Sequence, residues 1–426
     1  MPEAAVATAI MQAVDAGFDE QVQFTQELVR FPSRRGQEHT AQDFMAREMA
    51  ARGLSVDRWQ IDIEAIRHLP GFSPVAVDYD NAFNVVGAHR ADNASGRSLI
   101  LNGHIDVVPE GPHEMWSSPP YEPRLDGDWM YGRGSGDMKA GLAGTLFALG
   151  AVRRAGYAPA ADVFVQSVVE EECTGNGALA CLARGYRADA AVIPEPMGEC
   201  LLRAQIGVIW FQVKVQGVPT HVAYADTGAN AIDAAFSLIQ GLKKLEQAWN
   251  AEKDRHPHYA GHHHPIHLNV GKIAGGDWAS SVPSWCVFDV RVAVYPGDDL
   301  DARKAEIEAC LHEAASADAF LRNAPPQVSY NGFLAEGYVL QDDDAATATL
   351  GQAHAHVYGA PLKEIASTAT TDARFFGLYA GIPGLVYGPR SEAIHGFDER
   401  VELESVRRNT QAMALFIADW CGLEPA

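Results

Sequence analysis

From about residue 80 onward, short apolar runs alternate with longer amphipathic or apolar stretches. Ser98–Val108 (SLILNGHIDVV), Asp162–Val169 (DVFVQSVV), Asp189–Ile193 (DAAVI) and Gly384–Tyr387 (GLVY) read as strands, and Met138–Tyr157 reads as a mostly buried helix. Runs that are apolar on both faces suit central parallel strands. Strands alternating with helices therefore predict an α/β fold, a mostly parallel sheet with helices on both faces.

The rhythm changes between residues 207 and 331. Val208–Val215 (VIWFQVKV) and Val287–Val294 (VFDVRVAV) alternate like half-exposed strands. A helix follows the first, with Ile232, Ala235, Phe236 and Ile239 as its expected apolar stripe; a second carries Ile307, Cys310, Leu311 and Ala314 after the Pro296-Gly297-Asp298 break. This predicts a small α+β domain inserted in the larger one: residues 1–206 and 332–426 form the larger domain, 207–331 the insert. The segment His256–His267 (HPHYAGHHHPIH) is rich in a metal-ligating side chain. Its Gly and Pro make it read as a solvated loop.

Charge narrows the partners. The 426-residue chain has 33 Lys+Arg against 55 Asp+Glu, a formal net charge of −22. Such a surface argues against nucleic acid or an anionic membrane, but a metal can reverse the field locally for a small anionic substrate. The six cysteines are sparse and form no CxxC pair, as in a reduced protein with free thiols. The amino-terminal MPEAAVATAIMQAVDAGFDE has no basic segment ahead of an apolar one, and no apolar run reaches the length of a membrane span. The expectation is a cytoplasmic protein.

The chemistry lies at the strand ends. His104 and Asp106 sit two apart, on one face of a strand. His104 could ligate a metal while Asp106 orients its ring. Asp137 lies in the glycine-rich GRGSGDMKAG, which lacks the spacing of a phosphate loop. Its glycines more plainly let the backbone close in so that Asp137 reaches inward. Glu170-Glu171-Glu172 follow a buried strand, where adjacent carboxylates need compensating cations unless the turn is solvated. Glu195 ends the next strand, and His395 follows the last. In open α/β sheets the site lies beyond the carboxyl ends of the strands. Oxygen and imidazole donors without Cys suit zinc, cobalt or manganese. A cysteine nucleophile would need a poised His, and Cys173 instead abuts the acids.

In their order along the chain, NGHIDVVPEG, Trp116, YGRGSGDMKAG, VVEEECTGNGA, IPEPMG, GVPTHVAYADTGANAI and His395 resemble the M20 metallopeptidase and deacylase family. The likeness is greatest to its acetylornithine deacetylase and succinyl-diaminopimelate desuccinylase branch. The resemblance implies a zinc-exopeptidase-like catalytic domain, an inserted lid that also dimerises, and two divalent metal ions. Asp137 would bridge the ions, with a cis peptide bond after it. His104 and Glu195 would complete one metal site, Glu172 and His395 the other. Glu171 would be the general base that takes a proton from water and delivers it to the leaving amine. His221 would enter the partner subunit's site as an oxyanion donor in a homodimer.

The family pattern bends in places. Asp-Glu-Glu is frequent where this chain has Glu170-Glu171-Glu172, so a one-residue slip would move the base to Glu170. Ser280 stands where related peptidases often have a substrate-gripping Asn, and the strand from Pro283 to Arg291 reads as short. Arg291 matches a lid arginine that can hold a substrate carboxylate, or else is a surface residue; Arg374 lies where the family lines its pocket. Glu at position 195 leans towards deacylation and Asp towards peptidase action. The expected function is a metal-dependent amidohydrolase cleaving a linear amide, an N-acyl amino acid or other N-acyl amine. The alternatives are a dipeptidase or carboxypeptidase of the same family and, remotely, a catalytically dead binding protein.

Overall fold

The computed structural model describes residues 1–92, 94–341 and 345–426. Its central sheet has six strands in the order Ser55–Gln60, Phe83–His89, Val163–Val168, Leu99–His104, Ala190–Ile193 and Gly384–Val386. The last four are mutually parallel, and Phe83–His89 runs against them. Every residue of those four strands is buried, which is why their sequences are continuously apolar rather than alternating.

Helices cover both faces. The Asn84 side chain donates to the Gly177 carbonyl at 2.8 Å, so the helix Asn176–Ala183 lies on that side. Three residues along, on the opposite face, a Cβ at Gly87 would meet Met49 at 2.9 Å, and one at Gly103 would meet Leu142 at 3.2 Å. That face packs on His39–Ala51 and Ala140–Arg154. The α/β class expected from the pattern is the class observed. The helix expected from Met138 begins two residues later. Asp137 and Met138 hold non-helical backbone angles, and the peptide bond between them is cis.

A second core spans residues 204–321. Its antiparallel sheet runs Leu268–Gly275, Trp285–Val294, Gly207–Gln216, Gln327–Ala335. Helices Ala231–Asn250 and Leu300–Ala317 bury Leu238, Leu242, Ile307 and Leu311 against Phe211, Val213, Phe288 and Val290. Two expectations are corrected. The buried stripe of the first helix is Ala231, Ala234, Ala235, Leu238 and Leu242, and Phe236 is exposed. Small alanines let the helix sit close to the sheet, so the larger Ile232 and Phe236 fall off its inner face. The strand that read as short extends from Trp285 to Val294. Among the described residues, no helix is long and apolar enough to cross a membrane.

Close packing ties the long central helix to the chemistry-bearing strand ends. A Cβ at Gly141 would lie 2.1 Å from the carbonyl oxygen of Pro194, next to Glu195. Gly141→Ala is expected to cost about 1–3 kcal/mol through overpacking, read from denaturant unfolding of the purified protein.

Candidate metal centre

Three parallel strands deliver their carboxyl ends to one place. His104 is the last residue of Leu99–His104; Glu171 and Glu172 follow Val163–Val168; Glu195 follows Ala190–Ile193. His395 arrives on the loop beyond Gly384–Val386. Asp137 enters from the glycine-rich turn. His104 Nε2 lies 3.1 Å from Asp137 Oδ1 and 3.7 Å from Glu195 Oε1. His395 Nε2 lies 3.1 Å from Glu172 Oε1 and 3.3 Å from Asp137 Oδ2. Five of these residues thus form two triads, His104–Asp137–Glu195 and Asp137–Glu172–His395, within each of which one ligand atom per residue lies within 4.8 Å of the others. Asp137 belongs to both, with one oxygen turned to each imidazole.

The donor set fits a pair of divalent cations. His104 Nδ1 sits 2.9 Å from the Asp106 main-chain carbonyl. A carbonyl only accepts, so Nδ1 carries the proton and Nε2 offers its lone pair to the triad. Burial, together with the charges of Asp137 and Glu172 and against that of His104, pushes Glu195 up to about 8. The Glu172 and Asp137 carboxylates draw His395 up to about 11. Against the cost of burial, the two imidazoles hold Asp137 well below the usual carboxylate range. Without cations, protons on imidazole are what balance these acids, and two divalent ions would replace that positive charge.

Neighbouring acids differ in role because their surroundings differ. The Glu170 carboxylate accepts from Arg35 at 2.5 and 2.7 Å, from the Tyr79 hydroxyl at 2.5 Å and from Thr174 at 3.0 Å. It is fully engaged and turned away. Glu171 Oε1 is buried without a partner among the described residues. Burial, with Glu195, Asp372 and Glu172 adding to it and His104 opposing, pushes the Glu171 carboxyl well above its usual range. Of the two carboxylates that the sequence left open, Glu171 is the one with an oxygen that has no partner among the described residues.

Three expected site residues stand elsewhere, and one acts differently. Asp106 was expected to orient His104 through its carboxylate. That carboxylate is 3.7 Å from the ring and instead accepts the Glu171 and Glu172 amides at 3.4 and 3.1 Å. Its main-chain carbonyl orients the ring. Arg374 is fully buried, donates to the Thr174 carbonyl at 2.8 Å and lies 4.1 Å from the Phe375 ring centroid, so it props the acidic loop from behind rather than lining the cleft. Ser280 is exposed, and its carbonyl accepts the Val222 amide. His221 is also exposed and outside this cleft in its own chain. Arg291 does line it: the cleft of about 1090 Å³ places Arg291, Asn269 and Trp210 of the lid sheet opposite Glu171, Glu172 and His395. Burial lowers the Arg291 guanidinium to about 10, which leaves it charged at neutral pH.

Two buried acids had no role assigned from the sequence: Glu399, and Asp372 in the Thr371–Arg374 stretch that the family resemblance places at the pocket. Glu399 receives the amides of Gly134, Gly136 and Asp137 at 3.0, 2.9 and 2.9 Å and pairs with Arg133 at 2.6 Å. The glycine-rich turn therefore does cradle an anion, but one supplied by the chain itself. Gly134 takes a positive φ of 78° there. Asp372 has both carboxylate oxygens buried without a hydrogen-bond partner among the described residues, and burial pushes it up to about 6. A Glu in a DER tripeptide after the last ligand gave no signal; Asp372 stood in a stretch whose role periodicity cannot resolve.

The model of peptidase family M20/M25/M40 matches residues 100–419. The chain belongs to that family. Membership makes it a hydrolase of linear amide bonds, as the sequence implied. It is 29% identical over 440 residues to the N-formyl-4-amino-5-aminomethyl-2-methylpyrimidine deformylase of Halalkalibacterium halodurans, covering 98% of each chain. It is 28% identical to the succinyl-diaminopimelate desuccinylase of Cupriavidus necator, over 73% of this chain and 79% of that one. Human carnosine dipeptidase 1 shares the fold with a TM-score of 0.77 at 15% identity, covering 97% of this M20 chain and 99% of its own.

Glu399→Gln would leave Arg133 buried without a countercharge and set an amide NH2 against main-chain donors. A loss of about 3–5 kcal/mol is expected, with weakened metal retention because Asp137 rides on the same turn. Urea unfolding and metal analysis of the purified variant measure both.

Proposed function

We propose that this enzyme deacylates an N-acyl amine with two divalent metal ions, zinc or alternatively cobalt or manganese, held by His104, Asp137, Glu172, Glu195 and His395. The carrying observation is the pair of triads sharing Asp137, with Glu171 Oε1, which has no partner among the described residues, beside them. A full set of ligands and a free base argue against an inactive binding protein. The near full-length likeness to a deformylase supports a small acyl group on a non-peptide amine.

Bound in the two triads, the ions would supply Lewis acidity toward water and the amide carbonyl. The chain's own groups do the rest. Asp106 grips the Glu171 and Glu172 amides and fixes the acidic loop against His104. Glu171 takes a proton as the water oxygen bonds to the carbonyl carbon, then gives it to the amine nitrogen as the C–N bond breaks. The products are a carboxylate and an amine. Arg291 offers a cation for an anionic group of the substrate from the lid side.

His221 is proposed as the oxyanion donor of a second subunit in a cytoplasmic homodimer. Its Nδ1 accepts the Ala223 amide at 3.1 Å, so the neutral ring carries its proton on Nε2, the form a donor needs. Exposed Val218, Val222, Tyr224 and Trp278 lie along the same part of the chain and the segment that bridges to it.

Glu171→Gln is expected to lower kcat by about 10²–10⁴-fold with metal content retained. N-formyl and N-acetyl amines offered beside dipeptides test the substrate class: turnover confined to dipeptides would overturn the deacylase reading. His221→Ala should lose about 10²-fold or more in kcat. Mixing it with Glu171→Gln and allowing subunits to exchange should restore activity, because one hybrid site then holds both groups. No recovery in verified hybrids would sink the trans arrangement.

A further inference from the structure

We propose that the lid carries a third metal site, separate from the catalytic pair, in which Glu246, His264 and His267 hold one zinc-class divalent ion. One ligand atom from each of the three residues lies within 4.8 Å of the others. Glu246 comes from the helix Ala231–Asn250, and the two histidines from the segment entering the strand Leu268–Gly275. Glu246 Oε1 is 3.2 Å from His264 Nε2, and the His264 and His267 ring centroids are 5.2 Å apart.

The histidine-rich segment reads from sequence as a solvated loop, yet its ligand-bearing end is held. Ile266, between the two histidines, is fully buried in the lid core. The Asn250 side chain grips its backbone from both sides, donating to the Ile266 carbonyl at 2.7 Å and accepting its amide at 3.1 Å. Pro265 restricts the backbone between them. Glu246 is buried and fixed in turn: Lys243 sits 3.0 Å from Oε2, and the Leu268 amide reaches Oε1 at 2.8 Å. Lys243 thus occupies the far oxygen, while Oε1, which accepts the Leu268 amide, faces His264 Nε2 and keeps a second lone pair for a cation; Asn250 Nδ2 lies 3.2 Å from that nitrogen, a contact the ion would replace. Ligands supplied by a helix and a pinned turn are the preorganised case that a surface run of histidines is not.

Two imidazoles and one carboxylate suit zinc, cobalt or nickel, with water completing the coordination. An ion here would stand behind the cleft wall. The His267 carbonyl accepts from Arg291 at 3.5 Å, and the Tyr259 hydroxyl of the same segment donates to the Ser367 carbonyl at 3.1 Å. The site's test is independent of the proposed reaction.

The full-length protein is loaded with zinc, passed through a desalting column, and analysed for zinc per chain. Three equivalents are expected. His264→Ala/His267→Ala, and separately Glu246→Gln, should each lose one equivalent and keep two; His262→Ala/His263→Ala should keep all three. Equal zinc in the unmodified and the folded His264→Ala/His267→Ala protein, whatever the total, would overturn the site. So would a loss in His262→Ala/His263→Ala equal to that in the triad variants, which would assign the ion to the surface run.

Discussion

Asp137, Glu171, Glu172, Glu195 and Asp372 converge beyond the ends of buried parallel strands, with the imidazoles of His104 and His395 among them and the Arg374 guanidinium behind. Taking several carboxylates out of water at one point is unfavourable unless positive charge accompanies them. Burial raises Glu195 and Asp372, while Glu172 and Asp137 raise His395. These opposing shifts describe one constraint: the site is built to be completed by cations. The parallel sheet makes this crowding possible, because it sends successive strand ends to the same edge.

The scaffold then uses further acids to hold the first ones in place. Glu399 collects the amides of the glycine-rich turn and orients Asp137. Asp106 collects the amides of Glu171 and Glu172. Glu170 is neutralised by Arg35 and Tyr79. Arg374, aligned with the family's pocket, braces the same acidic loop through the Thr174 carbonyl. Each of these is a structural anchor by virtue of its partners, whereas Glu171 has none on one oxygen among the described residues. The lid contributes a different surface. Its helices seal one face of the antiparallel sheet, and the other face brings Arg291 and Trp210 to the cleft.

By itself, the chain's pattern determined the α/β class, the positions of the central strands, and the set of residues with metal-ligating chemistry at their ends. Burial on both faces leaves a continuous apolar run, and a charged residue directly after such a run stands out against it. Only the tertiary structure decided which face of the first lid helix is inside, because alanine and isoleucine at helical spacing support two phases equally well. It also decided that Glu170 is caged while Glu171 keeps one oxygen without a partner among the described residues, that the Asp106 carbonyl is the group hydrogen-bonded to His104, and that Ser280 and His221 lie outside the cleft of their own chain. Glu399 was out of reach of sequence because its partners are backbone amides 262–265 residues away. Residue type and local spacing report what a side chain can do. Which atoms it meets depends on contacts between segments distant in the chain, and those exist only once the sheet has assembled.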